Sequence, residues 1–224
     1  MRPHGTDAPD PMPDSAFATE GLLHGTPVAM PDGWRMVEEV APGDYLLTFD
    51  GGPRRVEAVQ SALVETARAA WPRAHWPLRV PPGVIGNRGA LRLLPDQAVL
   101  LDCDLADTMF GDPFALIPAA ALQGWRGIAP EPPGAVERVA TLLMAEDEVI
   151  YAGGGALVWC PGDQPIGLPM GGMMPLRGDR AGYVPLSLAS ARELVACLIA
   201  QDVGAALSGA APGGYQAALR ALSP

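Results

Sequence analysis

Cysteine is scarce in this chain of 224 residues, which has only Cys103, Cys160 and Cys197. An odd number at wide spacing argues against a disulfide framework. It leaves three thiols flanked by apolar residues, expected to be small buried side chains and compatible with a reducing compartment. Long apolar runs are also missing. Residues 1–15 are polar and proline-rich rather than charged and then apolar, so neither a membrane-spanning helix nor a Sec-type leader is expected. The expected location is cytoplasmic, or exported without such a leader. Positive charge is in short supply: 15 Lys and Arg stand against 25 Asp and Glu, a formal net charge of −10, with no basic stripe. That balance repels phosphate backbones and excludes nucleic acid as an expected partner. No membrane association is expected either.

Several ligand-binding patterns are incomplete. Asp102, Asp104 and Asp107, with Asp112 close by, lack the glycine and terminal glutamate of a calcium loop, so they are expected to form a solvated acidic loop and no metal is assigned. Gly153-Gly154-Gly155 follows an apolar run but has no dinucleotide spacing and no adjoining Lys-Ser/Thr, so a β-turn is expected and no cofactor is assigned. Arg177-Gly178-Asp179 matches a short adhesion tripeptide by chance frequency. No internal repeat is present.

Glycine and proline are plentiful instead, 27 and 25 residues, in a chain that is 49% hydrophobic. With a mean hydropathy of +0.15 this is enough to bury a core, and aperiodic Gly and Pro point to many turns between short strands. From Thr26 to Met30 an apolar run ends at Pro31-Asp32-Gly33, a hairpin signal. Arg35 to Val40 alternates apolar and charged residues and reads as the return strand, closed by Pro42-Gly43-Asp44. Tyr45 to Phe49 is the next strand, and Asp50-Gly51-Gly52 turns it into Arg54–Val59.

Four regions follow. Residues 1–20 form an N-terminal arm, residues 21–162 a β-rich domain, residues 163–183 a Gly/Met-rich loop, and residues 184–224 a C-terminal helical appendage. In the last, Ser190 and Glu193 form a capping box, and Ala191, Leu194, Val195, Leu198 and Ile199 recur at helical spacing to about Leu207. After Pro212-Gly213-Gly214, Tyr215 to Leu222 is a second helical candidate, making a helical pair.

The stretch Gly25–Gly52, GTPVAMPDGWRMVEEVAPGDYLLTFDGG, resembles the opening of a Hint (hedgehog/intein-type) domain. Leu78–Leu101 resembles the second block of bacterial Hint domains, with Leu94-Pro95-Asp96-Gln97 in place of a Ser-Pro-Gln-His-like turn. Glu137–Gly155 resembles a later strand pair. The resemblance covers about Gly21 to Gly162 and implies a mainly β, Hint-like body of short strands and hairpins.

It also implies a chemistry. Hint domains carry out an acyl shift in which a Cys or Ser at the domain start attacks the preceding carbonyl, assisted by a second-block His. Here the nucleophile position falls at Gly21, the His at Gln97, and a further family His at Asp147. Neither glycine nor an amide supplies that chemistry near neutral pH. The expected function is a catalytically silent binding or structural module with a protein partner, as part of a larger bacterial assembly. The alternative is a self-cleaving domain with a displaced nucleophile, in which His24, Gln97 and Asp147 would surround the reacting peptide, with Ser15 or Thr19 upstream. A lone His beside a Gly-Thr turn, such as His24, is more often a surface or capping residue. For binding, Met170, Met173 and Met174 offer an adaptable apolar surface, and Trp71 and Trp76 an aromatic one, although tryptophans among prolines also serve to cover a core edge.

Overall fold

A computed structural model describes residues 19–65, 72–162 and 184–208. Residues 1–18 of the expected arm over 1–20, the Gly/Met-rich loop and the second C-terminal helix lie outside the described residues. Among those described there are thirteen strands and two α-helices. The chain is mainly β, as its turn-rich composition implies.

The first strands follow the hairpin signals. β1 (Leu22–Leu23) leads into β2 (Pro27–Met30), which pairs with β3 (Gly33–Met36) in the register Met30↔Gly33. Gly33 takes φ +129°, a conformation that side chains other than glycine resist. The predicted strand over Arg35–Val40 stops early, because Val37–Glu39 forms a 3-10 turn. That turn buries Val37 completely and lets Glu38 Oε2 accept the Gly25 amide at 2.9 Å, gains that an extended path forgoes. β4 (Tyr45–Thr48) then pairs with the start of β5 (Gly52–Glu65), and the Thr48 hydroxyl closes their turn by accepting from the Gly51 amide.

Next come β6 (Leu78–Val80), β7 (Leu91–Leu93), β8 (Ala98–Asp102), α1 (Asp104–Phe110), β9 (Phe114–Pro118) and β10 (Ala129–Pro130). The expected acidic loop is in part helix: Asp104 and Asp107 lie in the first turn of α1, where carboxylates face the positive end of the helix dipole. β11 (Val136–Met144), β12 (Glu148–Ala152) and β13 (Ala156–Cys160) complete the sheet, with Gly153–Gly155 as the β12–β13 turn.

The strands form one curled antiparallel sheet in the order β10-β6-β7-β1-β11-β5-β4-β12-β13-β8-β9, with β2 and β3 branching from β12. β5 bridges the two halves, pairing with β4 through residues 52–55 and with β11 through residues 56–65. Most inward residues belong to one continuous apolar cluster.

α2 (Leu188–Ser208) shares that cluster through Ala191, Leu194, Val195 and Leu198. Burial of Leu194, Val195 and Leu198 contributes roughly 1.5–3 kcal/mol each. Its cap is Ser187, whose Oγ accepts the Ser190 amide at 3.1 Å, rather than the expected Ser190. The Leu186 amide bonds the Leu116 carbonyl in β9, so the body fixes the entry point one turn earlier than the sequence suggests. At the other end of the contact, Asp202 takes three bonds: from Trp125 Nε1 at 2.9 Å, and from Arg126 Nε and Nη2 at 2.7 Å each. Arg126 holds this position at φ +45°.

All three thiols are free. Cys160 is buried and Cys103 partly so, but Cys197 is exposed on α2, against the expectation of three buried thiols, because it lies off the core-facing side of the helix. Among the described residues, no helix is long and apolar enough to cross a membrane.

Candidate functional site

Gly21 is buried immediately before β1, and three segments meet around it. Its amide donates to Gln97 Oε1 at 3.0 Å. The Gln97 side chain, 2% exposed, donates from Nε2 to the carbonyls of Trp159 at 2.9 Å and Ala98 at 3.2 Å. Gln97 closes the Leu94–Gln97 turn by donating its backbone amide to the Leu94 carbonyl, and the Asp96 amide bonds the Thr19 carbonyl. The N-terminal entry, the turn before β8 and the end of β13 are thereby joined around one side-chain amide.

The third wall is β11. Gly21 has φ +111°, and a Cβ built on it would stand 2.6 Å from Val139 Cγ1, 3.1 Å from Thr141 Oγ1 and 3.2 Å from the Ala140 carbonyl oxygen. The β1–β11 register, Leu22↔Ala140 and Leu23↔Val139, sets this approach. A side chain at position 21 has neither the space nor the backbone conformation it needs.

Two titratable groups adjoin the junction in sequence, Glu20 before Gly21 and Cys160 after Trp159. Glu20 has a carboxyl raised by desolvation and by the charge of Asp96. Cys160, buried at the end of β13, has its thiol pushed up to about 12, first by burial and then by the charges of Glu20 and Glu148. Such a thiol carries almost no thiolate at neutral pH.

Of the residues singled out from sequence, Gly21 and Gln97 are brought into direct contact. His24 lies on the far side of β1, about 10 Å of extended chain from Gly21. Its backbone amide bonds the Arg138 carbonyl, and its ring is half-exposed near Glu38. Asp147 is in the β11–β12 turn, where Oδ1 accepts the Gly162 amide at 2.9 Å. Trp76 is half-buried over a small cluster of Leu23, Leu94 and Val139, with the Arg73 guanidinium 5.8 Å above its ring. It thus backs the strands that frame Gly21. Trp71, Met170, Met173 and Met174 lie outside the described residues.

Val139, Thr141 and the Trp159 carbonyl are parts of the site that sequence reasoning missed. No local signal marks them, because only strand register brings them to Gly21. A separate groove of about 380 Å³ opens between β4, β5 and the β11–β12 turn. Its charges are matched to one another, Arg54 with Glu148 and Arg55 with Glu57, both at 3.2 Å. Burial still holds the Glu148 carboxyl above its usual range, against the pull of Arg54 and the Thr48 hydroxyl.

A family model described as the Hint domain matches residues 21–157, opening at Gly21 itself. This chain belongs to the Hint-domain family. Solved structures similar to this Hint domain include a bacterial intein-like domain from Clostridium thermocellum, at 11% identity and TM-score 0.47, covering 63% of this chain and 98% of that one. The MchDnaB-1 intein is similar at 19% identity and TM-score 0.40, over 61% of this chain and 98% of its own. The Msm DnaB1 intein splicing domain, solved with zinc bound, is similar at 19% identity and TM-score 0.43, over 63% of this chain and 99% of its own. No curated protein matches this chain.

Proposed function

We propose that this Hint domain is catalytically silent and serves as a binding or structural module for a protein partner. The observation that carries the reading is the closure of position 21. An acyl shift needs an oxygen or sulfur on the Cβ of the residue after the scissile carbonyl, with a base in reach of its proton. Gly21 has no Cβ, and Val139 fills the space one would occupy. The group opposite is an amide that holds the Gly21 N–H in place and exchanges no proton near neutral pH. The nearby thiol, Cys160, is buried in its protonated form.

In this reading the positions that would start the reaction serve packing instead. Gln97 bonds three backbone groups from three segments, which suits a fixed scaffold rather than a peptide poised to break. Intact mass of the full-length protein, followed during long incubation with and without a small thiol, tests the proposal. An unchanged mass is expected. Loss of the segment before Gly21, accelerated by the thiol, would establish the self-cleaving alternative with a displaced nucleophile.

A further inference from the structure

β3 ends the branch of the sheet that leaves β12, and among the described residues it pairs with β2 alone. The phase of that ladder fixes which backbone groups face outward. The Val37 amide donates to the Thr26 carbonyl at 2.9 Å, so Thr26 and Val37 form a hydrogen-bonded pair, and two residues on so do Val28 and Arg35. Pro27 and Met36 are then a pair without mutual bonds. This suits Pro27, whose nitrogen carries no proton and whose carbonyl accepts the Gly153 amide on its other side. Ala29 and Trp34 are a pair of the same kind. The amide and carbonyl of Trp34 and the amide of Met36 therefore point away from β2, and they have no partner among the described residues.

The side chains of this edge sort by face. Trp34 and Met36 share one, with Ala29 and Pro27 across the ladder, and are 45% and 43% exposed. Protected edges carry lysine, proline or inward charge, and this one carries two large apolar groups. Arg35 points to the other face, where it reaches Asp32 at 3.0 Å and Asp44 at 3.5 Å. Between residues 32 and 44 the carboxylates of Asp32, Glu38, Glu39 and Asp44 stand against that single guanidinium.

We propose that the free edge of β3 docks an extended segment of a partner protein, in which apolar residues alternate with Lys or Arg, as an added strand. Two carbonyls of the segment accept from the Trp34 and Met36 amides, and an amide between them donates to the Trp34 carbonyl. Its apolar side chains lie over Trp34 and Met36, and its basic ones face Asp32 and Asp44 on the opposite side. Charge selects this occupant. A second copy of the chain would set four carboxylates against four, and a nucleic acid would set phosphates against them. The assignment rests on the reading of this domain as a module for a protein partner, and gives that partner its chemistry.

Titration of the isotopically labelled full-length protein with a synthetic peptide, acetyl-Lys-Val-Lys-Val-Lys-Val-Lys-amide, tests it by nuclear magnetic resonance. Saturable shifts are expected at the Trp34 and Met36 amides, weakened at least about fivefold between about 50 and about 300 mM salt. The same peptide with Glu at every Lys should not saturate. Met36 has φ −69°, a value that proline already holds, and its amide lies outside the ladder, so Met36→Pro should fold and melt as wild type does. It should bind the basic peptide at least about tenfold more weakly, while Met36→Ala, which keeps the amide, should lose less. Should Met36→Pro unfold, Trp34→Ala decides, since it keeps its amide and should weaken binding at least about fivefold. Equal binding of the two peptides, shifts centred elsewhere, or wild-type affinity in these variants would each overturn the proposal. A wild-type dimer that Met36→Pro abolishes would overturn it in favour of a second copy. A chain that keeps its mass on long incubation but binds neither peptide loses the β3 site alone; one that sheds the segment before Gly21 loses the silent-module reading itself.

Discussion

The backbone amide of Gly21 lies 3.0 Å from Gln97 Oε1, while Nε2 of the same side chain donates to the carbonyls of Trp159 and Ala98. This geometry requires one group that accepts in one direction and donates twice in another. A primary amide does so, whereas a carboxylate only accepts and a neutral imidazole donates once. Position 97 therefore holds a residue suited to joining three backbone segments, and position 21 one suited to the closest approach to β11.

Replacing Gln97 with Leu should accordingly destabilise the fold. It leaves the Gly21 amide and at least one carbonyl buried without a partner, at roughly 1–3 kcal/mol for each unsatisfied group. Chemical denaturation should give a loss of about 2–4 kcal/mol with little change in the denaturant slope. A loss below about 1 kcal/mol would mean that water replaces the amide, and that the junction is less closed than its 2% exposure indicates.

Gly21→Cys tests the same closure from the other side. The new Cβ meets Val139 Cγ1 and sits on a backbone at φ +111°, so overpacking and backbone strain each contribute roughly 1–3 kcal/mol of destabilisation. In a Val139→Ala background the closest contact disappears, while the strain and the tight approach to Thr141 Oγ1 and the Ala140 carbonyl oxygen remain. The double-mutant cycle should therefore show a coupling of about 1 kcal/mol or more, with the cysteine better tolerated once the Val139 side chain is shortened. Additive effects would show that Val139 is not what closes position 21.

The early part of the fold was legible because its signals are local. Pro31-Asp32-Gly33 and Asp50-Gly51-Gly52 mark turns whatever lies elsewhere, and β2–β3 and β4–β5 form around them. The contact between Gly21 and Gln97 followed from the resemblance, which aligned both with one reaction. Non-local features were beyond such reading. Val37 leaves the strand pattern for a buried turn, and Ser187 caps α2 in place of Ser190 because Leu186 is held by β9. Val139 becomes the wall of the site only through the β1–β11 register.

The three thiols should separate sharply in reactivity. Cys197 is exposed on α2, Cys103 is partly buried with its thiol raised chiefly by desolvation, and Cys160 is fully buried with its thiol pushed up to about 12. With iodoacetamide at mildly alkaline pH, mass spectrometry of the native protein should show one rapid addition, at Cys197, and a slow second at Cys103. Cys160 should react only at the rate of unfolding. Early labelling of Cys160 would indicate opening around β13.

The clamp between Arg126 and Asp202 makes the attachment of α2 dependent on pH. The Arg126 hydrogen bond lowers the Asp202 pKa against a smaller opposing effect of desolvation, and the Trp125 bond and the Arg126 charge lower it further. A carboxyl depressed in the folded state contributes stability above its unfolded pKa, about 3.9, and loses it as pH falls through the lower folded value. The side chains of Arg126 and Asp202 remain 27% and 26% exposed, so solvent screening limits the worth of the clamp to about 1–2 kcal/mol. Asp202→Asn should cost that much at neutral pH, and the cost should hold down to about pH 5 and then shrink below about pH 4 as wild type protonates. Because Arg126 sits at φ +45°, Arg126→Gly recovers backbone strain that Arg126→Ala retains, and should be the more stable of the two by about 1 kcal/mol. A stability difference between wild type and the Asp202→Asn variant that stays constant from about pH 7 to about pH 3 would show that the ionised carboxylate does not hold α2 to the sheet, and that the buried face of Ala191, Leu194, Val195 and Leu198 does so alone.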